Sequence, residues 1–452
     1  MKKKLSRSEY VYIASMLFGM FFGAGNLIFP VYMGQMAGRS MWPALIGFII
    51  TGVGLPLLGV AALGISRSSG LFELSGRVSR PYACFFTCAL YLTIGPFFAI
   101  PRCATTSFTV GLEQVIPQGS DKLSMYLLLF SLVFFAAALL FSLHPGRIMT
   151  WVGKILNPAF LVFLGILVVV TLSGPGASVS EVEPAGNYID KPFFEGFLQG
   201  YNTMDALASL AFGIVVVNVI RGLGVEEGEA VASNTVRAGI FSCLLMAVIY
   251  FFVTLLGTHS RGIMDTAGNG GVALAQIARH YLGAPGLLIL AATVTLACLK
   301  TSVGLITSCA ETFSGMFPKG PGYRAWAIIF SAVSFLFANF GLNSIITYSI
   351  PVLMFLYPLA ITLILLALCG RFFGHDKTVY RWVIGCTLVA AVYDLFASLP
   401  SGLIDALHIE GALNFVNGCL PLAGLGLAWV CPAALGLVIG LTVHFARGGK
   451  AA

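Results

Sequence analysis

Charge is scarce in this chain. Only 10% of its 452 residues are Asp, Glu, Lys or Arg, against about 25% in a soluble domain. A water-soluble globule of this size is excluded. The net charge of +7 does not describe a nucleic-acid surface, because the basic residues lie in short loops between apolar runs. Metal and disulfide signatures are missing too. The ten cysteines are scattered, with no CxxC pair and no Cys/His cluster, so neither a zinc site nor a disulfide framework is signalled. Cys84 and Cys88 stand one helical turn apart and read as small packing residues. There is no phosphate-binding glycine loop, no HExxH and no GxSxG turn, which leaves an enzyme without support and no cofactor implied. An ion channel needs a repeated pore motif or oligomeric charge rings, and neither is visible.

What the chain has in abundance is long apolar runs. It is 58% hydrophobic with a mean hydropathy of +0.93. Stretches long enough to span a bilayer recur from end to end. The reading is an all-α polytopic membrane protein, one domain over 1–452, with the lipid bilayer as its solvent. Twelve spans are expected, near 9–34, 41–65, 82–115, 122–143, 149–173, 193–220, 233–257, 286–314, 323–340, 344–369, 381–399 and 421–445. The third is long enough to be strongly tilted. The basic start MKKKLSR precedes an apolar run too long for a signal-peptide core, so it reads as an uncleaved first helix.

Charge asymmetry orients these spans. With the N-terminus inside, 18 of the 25 Lys and Arg residues fall on the inner side and 5 on the outer. That bias places both termini in the cytoplasm. Segment 174–192 is then an acidic outer loop, and 262–281 is a second outer excursion with room for a short helix over the site. Arg102 and Lys300 are the two cations left inside spans.

Two spans carry interruptions. The first contains Gly23-Ala24-Gly25-Asn26 and the sixth contains GYNTMDALASLAFG, residues 200–213. Opened backbone is tolerable in lipid only beside protein or a water-filled cavity. Asp205 puts a carboxylate at this depth, which marks either a functional group or one paired structurally with a neighbour such as Arg102. The breaks fall in the first and sixth spans, where two inverted halves of five spans would place them, leaving two further C-terminal helices. Paired breaks of this kind point to a central transport site. Freed N–H groups suit an anion such as a carboxylate, and freed carbonyls suit a small cation. An amino acid fits this chemistry better than a sugar.

FFGAGNLIFP (21–30), GPFFAIPR (95–102), GYNTMDALASLAFGIVVVN (200–218) and ACLKTSVGLITSCAETF (297–313) resemble the branched-chain amino acid cation symporters, the BrnQ or LIVCS family. The resemblance runs along nearly the whole chain. It implies a LeuT-like fold within the amino acid–polyamine–organocation group. It implies sodium-driven uptake of leucine, isoleucine and valine at a bacterial inner (plasma) membrane, with no obligate protein partner. By resemblance, Gly23, Ala24, Gly25 and Asn26 bind the substrate carboxylate, and Asn26 and Thr203 are sodium-ligand candidates. Met204 and Asp205 then line the pocket, with Asp205 receiving the substrate ammonium or sitting behind the cation, and Thr301 and Ser302 contribute hydroxyls to a second sodium site. Plainer readings stand beside these: Asn26 as a helix cap, Thr301 and Ser302 as close-packing residues. Phe21, Phe22, Phe97, Phe98 and Phe212 read as packing. An apolar pocket separates such side chains by only about 1–3 kcal/mol, so acceptance of all three is expected.

Two positions depart from the family pattern. Val31 replaces a second proline after Pro30. Lys300 stands where the family is uncharged, about 20 Å along its helix from the cytoplasmic end, too far for easy snorkelling. Either its ammonium occupies or abuts the second cation site, so that fewer sodium ions are needed or transport couples to protons instead, or it pairs with an acid. Arg102 is expected to pair with Asp205 or Glu311. The same scaffold serving another amine or amino acid remains the competing carrier reading.

Overall fold

The computed structural model describes residues 5–23, 25–68, 70–117, 122–143, 147–225 and 228–448. Among them are helices and connections and no strand, the architecture that satisfies every backbone group within its own segment. In chain order the α-helices are α1 (Arg7–Phe21), α2 (Gly25–Ala37), α3 (Met41–Ile49), α4 (Leu55–Ser66), α5 (Leu71–Ser75), α6 (Arg80–Leu92) and α7 (Ala99–Val110). Then come α8 (Leu123–Leu143), α9 (Arg147–Ser173), α10 (Pro192–Gln199), α11 (Asp205–Gly222), α12 (Gly228–Ser260) and α13 (Gly270–Met316). The last are α14 (Tyr323–Ala338), α15 (Leu342–Cys369), α16 (Lys377–Ala397), α17 (Ser401–Leu407), α18 (Glu410–Cys419) and α19 (Val430–Ala446).

Among the described residues, seven helical runs are long and apolar enough to cross a membrane. An eighth is α11, bent by 45° between Gly213 and Val215. Phe160–Ser173, Tyr323–Ala338 and Val430–Ala446 are shorter apolar helices.

The 33-residue helix α12, about 50 Å long, measures how the first helices run. Tyr10 of α1 donates to Asn234 Oδ1 near the start of α12 (2.6 Å). Asn26 meets Tyr250 further along. At the far end the backbones of α2 and α12 touch: a Cβ at Gly34 would collide with the Thr254 carbonyl, and one at Gly257 with the Val31 carbonyl. α1 and α2 together therefore follow α12 from end to end. Gly38, at φ +49°, opens the turn that reverses the chain. α4 then runs back, with Gly64 against Ala232. The unbroken apolar run Gly25–Ser66 is thus two legs, not one helix.

Local chemistry refines the expected spans. The third does not use its length in a straight tilted helix. A π-helical stretch at Thr93–Phe97 separates α6 from α7, with Gly95 at φ −94°, ψ −121° ahead of Pro96. Proline removes a donor and clashes with the preceding turn, so the helix breaks there. The segment expected as a second outer excursion, 262–281, holds a helix, the first stretch of α13 from Gly270, which bends at Gly283 (φ +65°). The segment between the last two expected spans contains α17 and α18. At the C-terminus α16 and α19 form a close pair, with Gly436 beneath the Trp382 carbonyl.

Candidate functional site

The two sequence breaks are breaks in the structure, made differently. α1 stops at Phe21 and Phe22 is extended. α2 begins at Gly25, and Asn26 in its first turn accepts the Gly23 N–H through Oδ1 (2.8 Å). This is not the helix cap expected of Asn26, in which the side chain accepts an N–H from the turn that follows it: Asn26 reaches back to the chain ahead of α2, and its amide Nδ2 points elsewhere. In the second break α10 tightens into a 3₁₀ turn at Gly200–Thr203. Met204 is left-handed at φ +62°, a conformation costing a non-glycine residue on the order of 1 kcal/mol or more. α11 starts at Asp205, whose carboxylate lies in the positive first turn of that helix. The Thr203 hydroxyl donates to the Gly200 carbonyl (2.9 Å) and accepts the Asp205 N–H (3.4 Å).

The breaks meet. Asn26 Nδ2 donates to Asp205 Oδ2 (2.6 Å) and contacts the Tyr250 hydroxyl of α12. Asn26 and Asp205 are 1% and 4% exposed, so these are interior bonds in a low-dielectric setting, where each lost partner is costly. Gly25 lies against the second break: a Cβ there would stand 3.2 Å from Arg102 Nη2 and 3.5 Å from Thr203 Cα. The expected ion pair of Arg102 is not formed. Among the described residues no ion pair joins it to Asp205 or Glu311. Its Nη1 donates instead to the Asn202 carbonyl (2.6 Å), which the 3₁₀ turn has freed, and its guanidinium lies over the Phe29 ring at 5.1 Å. Glu311 is exposed.

A cavity of about 60 Å³ opens between the breaks. Gly23, Gly25, Asn26, Thr203, Met204 and Asp205 line it, joined by Arg102 and by Thr301 from α13. Apolar walls come from Phe21, Ile94, Ala99, Ala208, Phe212 and Leu305. Ala24 lies outside the described residues. Thr301 Oγ1 and Asn26 Oδ1 flank Gly23, 3.8 and 3.7 Å from where its Cβ would be, so two candidate ligand oxygens share one side of the cavity. Ser302 does not line it. It is buried against α7, its hydroxyl beside the Cys103 thiol. Lys300 is half-buried and also outside the cavity lining. The acidic partner considered for it is not there: among the described residues it makes no hydrogen bond or ion pair.

Tyr250 had not been singled out. A lone phenol in the apolar run AVIYFFVT (247–254) is the available signal, since a buried Tyr hydroxyl needs a polar partner. Phe21 and Phe212, read as packing, are cavity walls.

Residues 6–447 match the family described as branched-chain amino acid transport protein. The chain belongs to that family. Members are carriers, not enzymes. A Lactobacillus delbrueckii subsp. lactis protein named branched-chain amino acid permease BrnQ is 52% identical over 435 residues, covering 96% of each chain. Its Bacillus subtilis namesake is 39% identical over 99% of each chain. Among solved structures, Mhp1, a nucleobase-cation-symport-1 transporter with bromovinylhydantoin bound, aligns with a TM-score of 0.61 at 15% identity, covering 98% of this chain and 93% of its own. MhsT in complex with L-phenylalanine aligns at 0.58, also at 15% identity, covering 98% and 100%. Those likenesses establish the LeuT-like fold of this branched-chain amino acid transport family member.

Proposed function

We propose that this protein takes up leucine, isoleucine and valine by alternating access around the cavity between the two breaks, driven by a cation gradient. The observation that carries the reading is the meeting of Asn26 and Asp205 on an apolar-walled cavity. It combines an acid for an ammonium, oxygen donors for a cation and room for a branched side chain to be enclosed. The 52% identical relative, itself named a branched-chain amino acid permease, supports the substrate class. We take the membrane to be a bacterial plasma membrane, crossed twelve times as two inverted halves of five plus two C-terminal helices, with both termini cytoplasmic. No obligate protein partner is required.

Sodium is the first reading for the coupling ion, with Asn26, Thr203 and Thr301 as cavity-lining ligands and Ser302 reaching it only after α13 shifts. A second reading has its own support. Lys300, half-buried in the middle of α13, has no partner among the described residues, and an unpaired intramembrane ammonium is expensive. Its charge would replace one sodium ion or carry the proton. Uptake of labelled leucine into proteoliposomes under an imposed sodium or proton gradient separates the two. Accumulation with sodium alone, unchanged in cation dependence by Lys300→Thr, removes Lys300 from coupling. Accumulation with protons alone, lost in Lys300→Thr, puts it at the centre. No competition of uptake by leucine would sink the substrate assignment itself.

A further inference from the structure

We infer that Arg102 and Asp205 form a two-ended clamp for a zwitterionic α-amino acid, with the guanidinium taking the carboxylate and Asp205 the ammonium. This rests on the transport reading above and adds a residue to it. Both groups line the same cavity, both are 4% exposed, and they carry opposite charge without pairing with each other. A guanidinium has five N–H donors. Among the described residues Arg102 uses one, to the Asn202 carbonyl, and rests its face on Phe29. Asp205 accepts from Asn26 at Oδ2, with the Thr203 and Tyr250 hydroxyls beside its carboxyl. A buried guanidinium with spare donors beside a buried carboxyl that is not its ion-pair partner is costly, and a ligand bearing one charge of each sign completes both at once.

The backbone break does not compete for that role at Gly23. Its N–H is already bonded to Asn26 Oδ1, so a carboxylate arriving there finds the donor taken. Arg102 Nη2 stands beside Gly25, 3.2 Å from the missing Cβ. The absence of a side chain at Gly25 is what leaves the guanidinium approachable from the break. Asn202 has a matching part. Its carbonyl, freed by the 3₁₀ turn, holds Nη1 and fixes the planar fork so that its remaining donors face the cavity, the geometry that suits a carboxylate. A neutral sugar, a simple amine or a fatty acid satisfies at most one end.

The test uses the purified full-length protein and three probes of one carbon skeleton: leucine, leucinol, which lacks the carboxylate, and 4-methylpentanoate, which lacks the ammonium. Dissociation constants are measured by calorimetry. In the wild type both analogues should bind at least about 30-fold more weakly than leucine, the loss expected when a desolvated charged group is left unpaired. In Arg102→Gln the leucinol-to-leucine ratio should collapse towards one. In Asp205→Asn the 4-methylpentanoate-to-leucine ratio should do so. If Arg102 only holds the Asn202 carbonyl in place, Arg102→Gln weakens both ligands by the same factor and the ratio is unchanged, which overturns the clamp. Leucinol binding the wild type as tightly as leucine overturns it without any variant, so misfolding of Arg102→Gln does not shelter the proposal. Wild-type protein that binds no leucine would refute the transport reading instead, and the two failures are distinguishable.

Discussion

Two gatherings of polar and charged side chains in this apolar molecule are arranged in opposite ways. At the centre, Asn26, Arg102, Asp205 and Tyr250 are buried around a cavity, and two of them keep unused bonding capacity. At the end of the molecule where α12 begins, the connection from α15 to α16 gathers Arg77, His375, Asp376, Tyr380, Arg381 and His444. There the groups are tied to one another or to backbone. Arg77 contacts His375 Nδ1 (2.6 Å) and donates to the Ser66 carbonyl (2.6 Å). Asp376 meets His444 of α19 (2.6 Å) and caps α16 through the Thr378 N–H (2.7 Å). Arg381 donates to the Val78 carbonyl (2.9 Å). The contrast separates polarity that holds helices together from polarity kept for a ligand. Substitutions at the centre should cost uptake more than stability, and those at the end the reverse.

The largest effect belongs to Asn26→Ala. It removes the acceptor of the Gly23 N–H and takes one amide donor away from both Asp205 and Tyr250. Initial leucine uptake should fall about 100-fold or more, while the thermal midpoint drops only by the few degrees that about 1–3 kcal/mol of lost satisfaction implies. An uptake loss no greater than that of His444→Ala would break the contrast. Gly25→Val comes next. Its branches would press on Arg102 Nη2 and Thr203 Cα, driving the two breaks apart, and uptake should fall by about tenfold or more. Gly25→Ala, with a single methyl, should lie between it and wild type. If valine is tolerated with normal uptake, the breaks do not need their close approach. Tyr250→Phe keeps the edge-on packing against Phe48 (5.0 Å between ring centroids) and deletes one hydroxyl. A loss of uptake of about fivefold is expected, since one hydrogen bond of this kind is worth about 1 kcal/mol.

How much of this was legible beforehand follows from length scales. A glycine pair and an Asn inside an apolar run, or an Asp in the same setting, are local contradictions that a sequence displays openly. Both breaks, and the residues Gly23, Gly25, Asn26, Thr203, Met204 and Asp205 as cavity lining, could therefore be placed. What touches them across the bundle is not written in the local pattern. Thr301 was reached through the family resemblance alone and Tyr250 not at all, since they approach the first break from α13 and α12, more than 200 residues away in the chain, and no periodicity encodes such a meeting. The Arg102 pairing failed for a related reason. Charge suggests a carboxylate partner, whereas the second break supplies a freed carbonyl, and that donor–acceptor match exists only once α10 has tightened into its 3₁₀ turn. The break within the third span was also in view, as Gly95-Pro96. Length alone suggested tilt, and the missing donor of proline decided for a break.

The smallest effect tests the other half of the contrast. His375 is held below its ordinary value by burial and then by Arg77. Asp376 is held below its ordinary value by the Thr378 backbone N–H and then by the His444 side chain. For a group lowered in the fold, stability is present above its unfolded value and is lost as pH falls through its folded one. His375 should therefore begin to release the α15–α16 connection below about pH 6.5, and Asp376 below about pH 4. Both groups are partly open to solvent, so the drop in thermal midpoint between pH 7 and 5 should be only about a degree or two. His375→Asn should flatten it, with leucine binding at pH 7 unchanged. If His375→Asn instead weakens leucine binding as strongly as Tyr250→Phe, this end of the molecule is coupled to the cavity, and its hydrogen bonds are part of the transport cycle.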